Sequence, residues 1–189
     1  MLDDLGIESA HIAGASMGGM IVQTMAIEHP ERVRSMASIM SMTGEPEFGS
    51  AAPEALGALL APPPADRGAY IEAALRTSVW SSKRFFDAAQ AKARAADAYD
   101  RSFYPEGSAR QLYGILASGD RAPGLAALTV PTVVIHGADD VLITPSGGAR
   151  TAELVPGSRY LFLKDMGHDL PDPLLPGIVD AIASNAVRG

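Results

Sequence analysis

Apolar positions along this chain fall into short blocks whose length and spacing predict an alternation of strands and helices. Ala10–Ala13 (AHIA) is a brief apolar run that meets Gly14, which predicts a strand. From Met17 the segment MGGMIVQTMAIEHPERV is apolar almost all round until His29-Pro30, the pattern of a buried helix stopped by proline. Val33–Met42 follows as a second apolar strand without clean alternation. Further on, the β-branched run Pro131–Gly137 (PTVVIHG) and Ser158–Lys164 (SRYLFLK) predict two more strands, with a short helix at Gly148–Val155 between them. Leu174–Val187 closes the chain as an amphipathic helix, and Asp3–Gly6 opens it as a helix tail ended by glycine. Strands that are apolar throughout and separated by helices belong to a parallel sheet covered on both faces, so the fold class is α/β.

Thr43 to Val130 has a different texture. It holds Pro62-Pro63-Pro64, an Ala/Pro-rich surface connection at Ala51–Ala65, and nine of the eleven aromatic residues. Helices are predicted near Pro53–Leu60, Arg67–Val79, Lys83–Asp100 and Glu106–Ser118. The expected organisation is a core made of residues 1–42 and 131–189, interrupted by a helical cap at 43–130. Its aromatics either form the cap's own core or line an apolar substrate pocket, with Trp80, Phe103 and Tyr104, together with Met20 beside the first helix, as the pocket candidates.

Composition narrows the function classes. Fifteen basic against 22 acidic residues give a net charge of −7, and no Lys/Arg-rich run offers a footprint for nucleic acid. The absence of cysteine removes disulfides, thiolate nucleophiles and Cys-based metal sites, which makes a reducing cytoplasm the default expectation. No basic n-region opens the chain and no apolar run of about 18 residues follows, so neither a signal peptide nor a membrane span is expected. Mean hydropathy is nonetheless +0.10, high for so acidic a chain.

Gly14-Ala15-Ser16-Met17-Gly18 fits G-x-S-x-G. With 19 glycines among 189 residues the pattern alone is weak, and its position between a predicted strand and a predicted helix carries the weight. A serine on such a turn is held in a strained backbone conformation with its hydroxyl projecting above the sheet, and the following helix aims N–H groups and its positive dipole end at the same place. The competing reading is a serine that only caps the helix. A hydroxyl needs a base to become a nucleophile, and the chain has four histidines. His11 lies on a strand, His29 at a helix end and His136 at the end of a strand. His168 alone sits in a glycine-bearing loop, Asp165–Asp169, after the last strand, where it would share the carboxyl-end edge of the sheet with Ser16. For the acid that orients it, Asp140 is preferred over its neighbour Asp139 on the turn after Pro131–Gly137. A nucleotide site is disfavoured: Met20 stands where a P-loop needs lysine, and Ser16 breaks G-x-G-x-x-G. No metal-ligand spacing stands out, and no cofactor is expected.

GASMGG at Gly14–Gly19, HGADDVLITP at His136–Pro145 and MGHDLP at Met166–Pro171 resemble the nucleophile elbow, acid loop and histidine loop of the α/β-hydrolase fold family. Within it, the run from Gly14 to Val33 and the segment Tyr99–Asp120 are similar to aclacinomycin methylesterase-like serine hydrolases. The resemblance implies a cofactor-free hydrolase that cleaves carboxylic esters, methyl esters among them, through an acyl-enzyme. Ser16 would be its nucleophile, His168 its base, Asp140 its acid and the Met17 N–H an oxyanion donor. Carbon–carbon bond hydrolases, thioesterases and perhydrolases share that machinery.

The resemblance also implies a deficit. In the family, strands and a loop carrying a second oxyanion donor precede the elbow, and here the elbow strand begins at residue 10. The expectation is therefore the carboxyl-terminal part of a hydrolase sheet, about four parallel strands, with an exposed elbow-strand edge open to a second copy or to a partner bearing the missing half. Such a chain is either an active hydrolase of small-molecule esters or a non-catalytic or partner-dependent fragment.

Overall fold

The computed structural model describes residues 1–189. Four strands, β1 (Ala10–Ala15), β2 (Val33–Ile39), β3 (Thr132–Gly137) and β4 (Arg159–Leu163), form one sheet in the order β1-β2-β3-β4 with every neighbouring pair parallel. The central strands carry the continuous apolar runs: all of β3 is buried and so is β2 apart from Arg34, whereas β1 and β4 at the edges are only partly covered.

Helix α1 (Met17–Glu28) connects β1 to β2 through a 3-10 turn at Pro30–Arg32, and α7 (Pro145–Leu154) connects β3 to β4. Between β2 and β3 lie α2 (Pro53–Leu60), α3 (Arg67–Ala73) running into a 3-10 segment Ala74–Val79, α4 (Ala88–Arg101), α5 (Pro105–Ala117) and α6 (Ala122–Ala126); α8 (Leu175–Ala186) ends the fold. Successive residues of β2 point to opposite faces, so Met36 joins Val22 and Ala26 of α1 and Leu125 of α6, while Ala37 joins Ile135 of β3 and Ile178 of α8.

Several boundaries differ from the sequence reading for local reasons. The Asp3–Gly6 segment is a turn, not a helix end, and Gly6 takes φ 66. β2 stops at Ile39 because Met40 adopts φ 40, outside the extended region. α4 starts at Ala88, not Lys83, because the Asp87 carboxylate accepts the N–H groups of Ala89 and Gln90 at 2.8 and 3.0 Å. α6 was not expected; five residues are too few for a helical period to show.

Arg121, just before α6, is buried and fastens this region to the core. Its guanidinium donates to Gln23 of α1 at 3.0 Å and to the Met42 carbonyl beyond β2 at 3.1 Å. Burial holds its pKa below the ordinary value, since no carboxylate is among its hydrogen-bond partners. By contrast α5 buries none of its residues, and Tyr113 and Leu116 on it are exposed. No helix is long and apolar enough to cross a membrane.

Candidate active site

The turn between β1 and α1 places Ser16 at φ 56 and ψ −121, a conformation costing a non-glycine residue about 1–3 kcal/mol. Its backbone is pinned by an N–H bond to the Ile39 carbonyl at 2.9 Å. Gly14 makes the turn possible, because a Cβ there would collide with the Gly18 backbone, and Gly19 is packed just as closely against Ser41. Ser16 makes no side-chain cap to α1. Its Oγ instead lies 2.8 Å from His168 Nε2, which disposes of the capping alternative.

His168 arrives on the loop after β4, and its Nδ1 lies 2.8 Å from Asp140 Oδ2. A carboxylate is an acceptor only, so Nδ1 carries the proton and Nε2 offers its lone pair to the serine O–H. Asp140 is fixed in turn by the N–H groups of Leu142 and Ile143, each 2.9 Å from Oδ1. Burial pushes its carboxyl up, but hydrogen bonds from His136 and His168, the His168 charge and the Ile143 N–H outweigh this and hold the pKa below the usual value. Asp139 points elsewhere: it accepts the Lys83 N–H at 3.0 Å and pairs with the Lys83 ammonium at 3.3 Å. The three chosen residues therefore meet through two hydrogen bonds, and Asp139 is outside the set. His11 bonds Ser35 at 2.9 Å and His29 lies 4.0 Å from Glu31, both away from this cluster.

The segment Trp80–Arg84 holds both loops, which the sequence reading missed. The Trp80 carbonyl accepts the His168 N–H at 2.7 Å, and the Ser82 N–H donates to Asp169 at 2.9 Å. Ser82 Oγ donates to the Asp165 carbonyl at 2.7 Å, and Arg84 pairs with the Asp165 carboxylate at 2.9 Å. Gly167 lies so close to Ser81 that any side chain would strike its backbone. Asp169 also accepts the Gly167 N–H at 3.2 Å, yet burial dominates and raises its pKa. No local pattern announces contacts between residues more than 80 positions apart.

One cavity reaches the cluster at His168, and a second starts at Met17 next to Ser16 and runs along α1. The larger, about 870 Å³, reaches His168 and Met40 and is walled by Tyr70, Trp80, Phe85 and Phe86. The smaller, about 460 Å³, lies between α1 and α5 and is lined by Met17, Met20, Met25 and Ile115. Of the pocket candidates, Trp80 lines the larger cavity and Met20 the smaller. Phe103 and Tyr104 line neither: Phe103 packs against Tyr70 and Tyr99 at centroid distances of 5.7 and 4.7 Å, and Tyr104 is half exposed beneath Arg110. An aromatic cluster internal to the helical insertion claims Phe103.

The alpha/beta hydrolase fold family matches residues 1–172, and the chain belongs to that family. Among its relatives, rhodomycin D methylesterase DauP of a Streptomyces species is 23% identical over 194 residues, covering 90% of this chain and 64% of its own. The 2-hydroxy-6-oxononadienedioate/2-hydroxy-6-oxononatrienedioate hydrolase of Cupriavidus pinatubonensis is 26% identical over 173 residues, covering 89% of this chain and 58% of its own. The enol-lactonase of Burkholderia xenovorans LB400 superposes with a TM-score of 0.73 at 23% identity, over 98% of this chain and 68% of its own. The chain thus spans about three fifths of the length of these two sequence relatives.

Proposed function

We propose that this chain carries the catalytic machinery of a serine hydrolase acting on carboxylic esters, methyl esters among them. The observation that carries the reading is the continuous Ser16–His168–Asp140 hydrogen-bond chain, 2.8 Å at each link, with a strained serine at a strand-to-helix turn. Ser16 Oγ attacks the ester carbonyl as His168 Nε2 takes its proton, and the Met17 N–H at the start of α1 steadies the oxyanion. His168 returns the proton to the departing alcohol, and water activated by the same imidazole releases the acid. Asp140 holds the imidazole in the required tautomer. The larger cavity, which reaches His168 and is walled by Tyr70, Trp80, Phe85 and Phe86, suits a substrate with an apolar group beside the ester. The methylesterase and the 2-hydroxy-6-oxononadienedioate hydrolase among the similar proteins lend support to a hydrolytic reading.

A fluorophosphonate probe tests this directly: the 189-residue protein is expected to be labelled and Ser16→Ala is not. Labelling that ignores the substitution, or none at all, sinks the reading for this chain.

A second reading rests on β1, which is an edge strand here with one side of its backbone unpaired by any strand. On that reading the chain works only when a second copy or another polypeptide pairs with β1 and supplies a second oxyanion donor. Labelling that appears only in an associated species, separated by size exclusion, would favour it.

A further inference from the structure

His136 is wholly buried at the end of β3, four residues before Asp140. Its Nε2 lies 2.9 Å from the Ile143 carbonyl and 3.3 Å from Asp140 Oδ2. Both neighbours are acceptors, so Nε2 carries the proton, which goes to the Ile143 carbonyl with Asp140 Oδ2 alongside. The other nitrogen, Nδ1, is buried with no hydrogen-bond partner. Gly148 of α7 lies flush against it, where any Cβ would collide with the ring. An aliphatic side chain would fill this space without leaving an orphan nitrogen, so what the imidazole adds is its Nε2–H.

We infer that His136 is a positioning residue that holds the Asp140 carboxylate and its loop in place for His168. The inference rests on the assignment of Ser16, His168 and Asp140 above. Asp140 Oδ2 receives the His168 Nδ1–H and has His136 Nε2 3.3 Å away, while Oδ1 receives two backbone N–H groups. The same bond, through Ile143, ties the carboxylate to the loop at 140–143. The ionisable groups around Asp140 are His136 from β3 and His168 with Asp169 from the loop after β4, while the adjacent Asp139 is answered by Lys83 from the helical insertion. Without His136, neither the Ile143 carbonyl nor Oδ2 has that N–H beside it, and the loop that carries Asp140 loses a tie to β3.

The test compares His136→Leu, which removes the donor, with His136→Gln, whose amide restores one near Nε2. In fluorophosphonate labelling, His136→Leu should lower the rate roughly tenfold, and His136→Gln should recover most of it. A Leu variant that melts lower yet keeps the native labelling rate overturns the inference and makes His136 purely structural. Nitrogen-15 NMR of the histidines adds a readout independent of activity. The native protein should show His136 protonated on Nε2, and the His168 Nδ1–H resonance should move in His136→Leu and return in His136→Gln. An Nδ1-protonated His136, or an unmoved His168 resonance, also overturns it. Failure of the native protein to be labelled counts instead against the triad reading, and the NMR outcomes still decide the His136 contact. Should His136→Leu not fold, the native tautomer and His136→Gln suffice: wrong protonation overturns the inference, and an Nε2–H with a native-like Gln labelling rate supports it.

Discussion

Asp140→Asn is expected to slow acylation of Ser16 by about 10³–10⁴-fold at pH 8, whereas Asp139→Asn should stay within roughly threefold of the native rate. The two side chains are adjacent and chemically identical, so the contrast isolates geometry. Asp140 reaches His168 at 2.8 Å, and Asp139 is committed to Lys83. An asparagine at 140 keeps an acceptor for the Leu142 and Ile143 N–H groups and then turns its amide N–H₂ toward His168 Nδ1. That face of the imidazole must now accept, the proton moves to Nε2, and the lone pair needed by Ser16 is gone. A loss of 10⁴ corresponds to about 5.4 kcal/mol of transition-state stabilisation, far more than one exposed ion pair supplies. The measurement is the second-order rate of fluorophosphonate labelling, with circular dichroism to show that both variants fold. Equal losses in the two variants would remove the distinction between the aspartates.

The same carboxylate leaves a mark on stability. Its folded pKa lies below the unfolded value, so Asp140 contributes stability that is present above about pH 3.9 and is lost as pH falls through the folded value. Asp140→Asn should therefore flatten the acid side of the stability profile.

How far these residues could be read from the sequence depends on how local their signals are. Ser16, Asp140 and His168 each sit within a few residues of a strand's carboxyl end, and the parallel sheet brings those ends to one edge. Local patterns were enough to nominate them, with Asp139 left beside Asp140 as runner-up. The Trp80–Arg84 clamp left no trace, because Trp80, Ser82 and Lys83 are ordinary residues whose partners lie 56 to 88 positions away. Phe103 and Tyr104 failed as pocket residues because the sequence shows where aromatics are and not which of them face one another. Exposed apolar side chains accompany the high mean hydropathy: Ile21 on α1, Phe162 on β4 and Val179 on α8. Phe162 lies on an edge strand that is paired on one side only.

Gly14→Ala should be among the most damaging single substitutions, costing about 3–5 kcal/mol or preventing folding, while Gly18→Ala should be harmless or stabilise by up to about 1 kcal/mol. Both glycines belong to the G-x-S-x-G pattern, and the pattern treats them alike. The structure does not. A Cβ on Gly14 meets the carbonyl oxygen and carbon of Gly18 and the nitrogen of Gly19, all backbone atoms of the first turn of α1, so nothing flexible can yield. Relief would require moving α1 away from β1, and Ser16, between the two, would move with it. A shift of about 1 Å in a nucleophile typically costs two orders of magnitude in rate, so labelling should fall even in whatever fraction folds. At Gly18 no atom lies within 4 Å of the added methyl, φ is not in the left-handed region, and alanine favours the helix. Thermal melting checks the pair: at roughly 2–4 °C per kcal/mol for a chain of this size, Gly14→Ala should melt on the order of 10 °C lower and Gly18→Ala at or slightly above the native temperature. Equal losses at both positions would mean that the elbow's tightness resides in the approach of another group to Gly18, and the assignment of the close contact to Gly14 alone would be wrong.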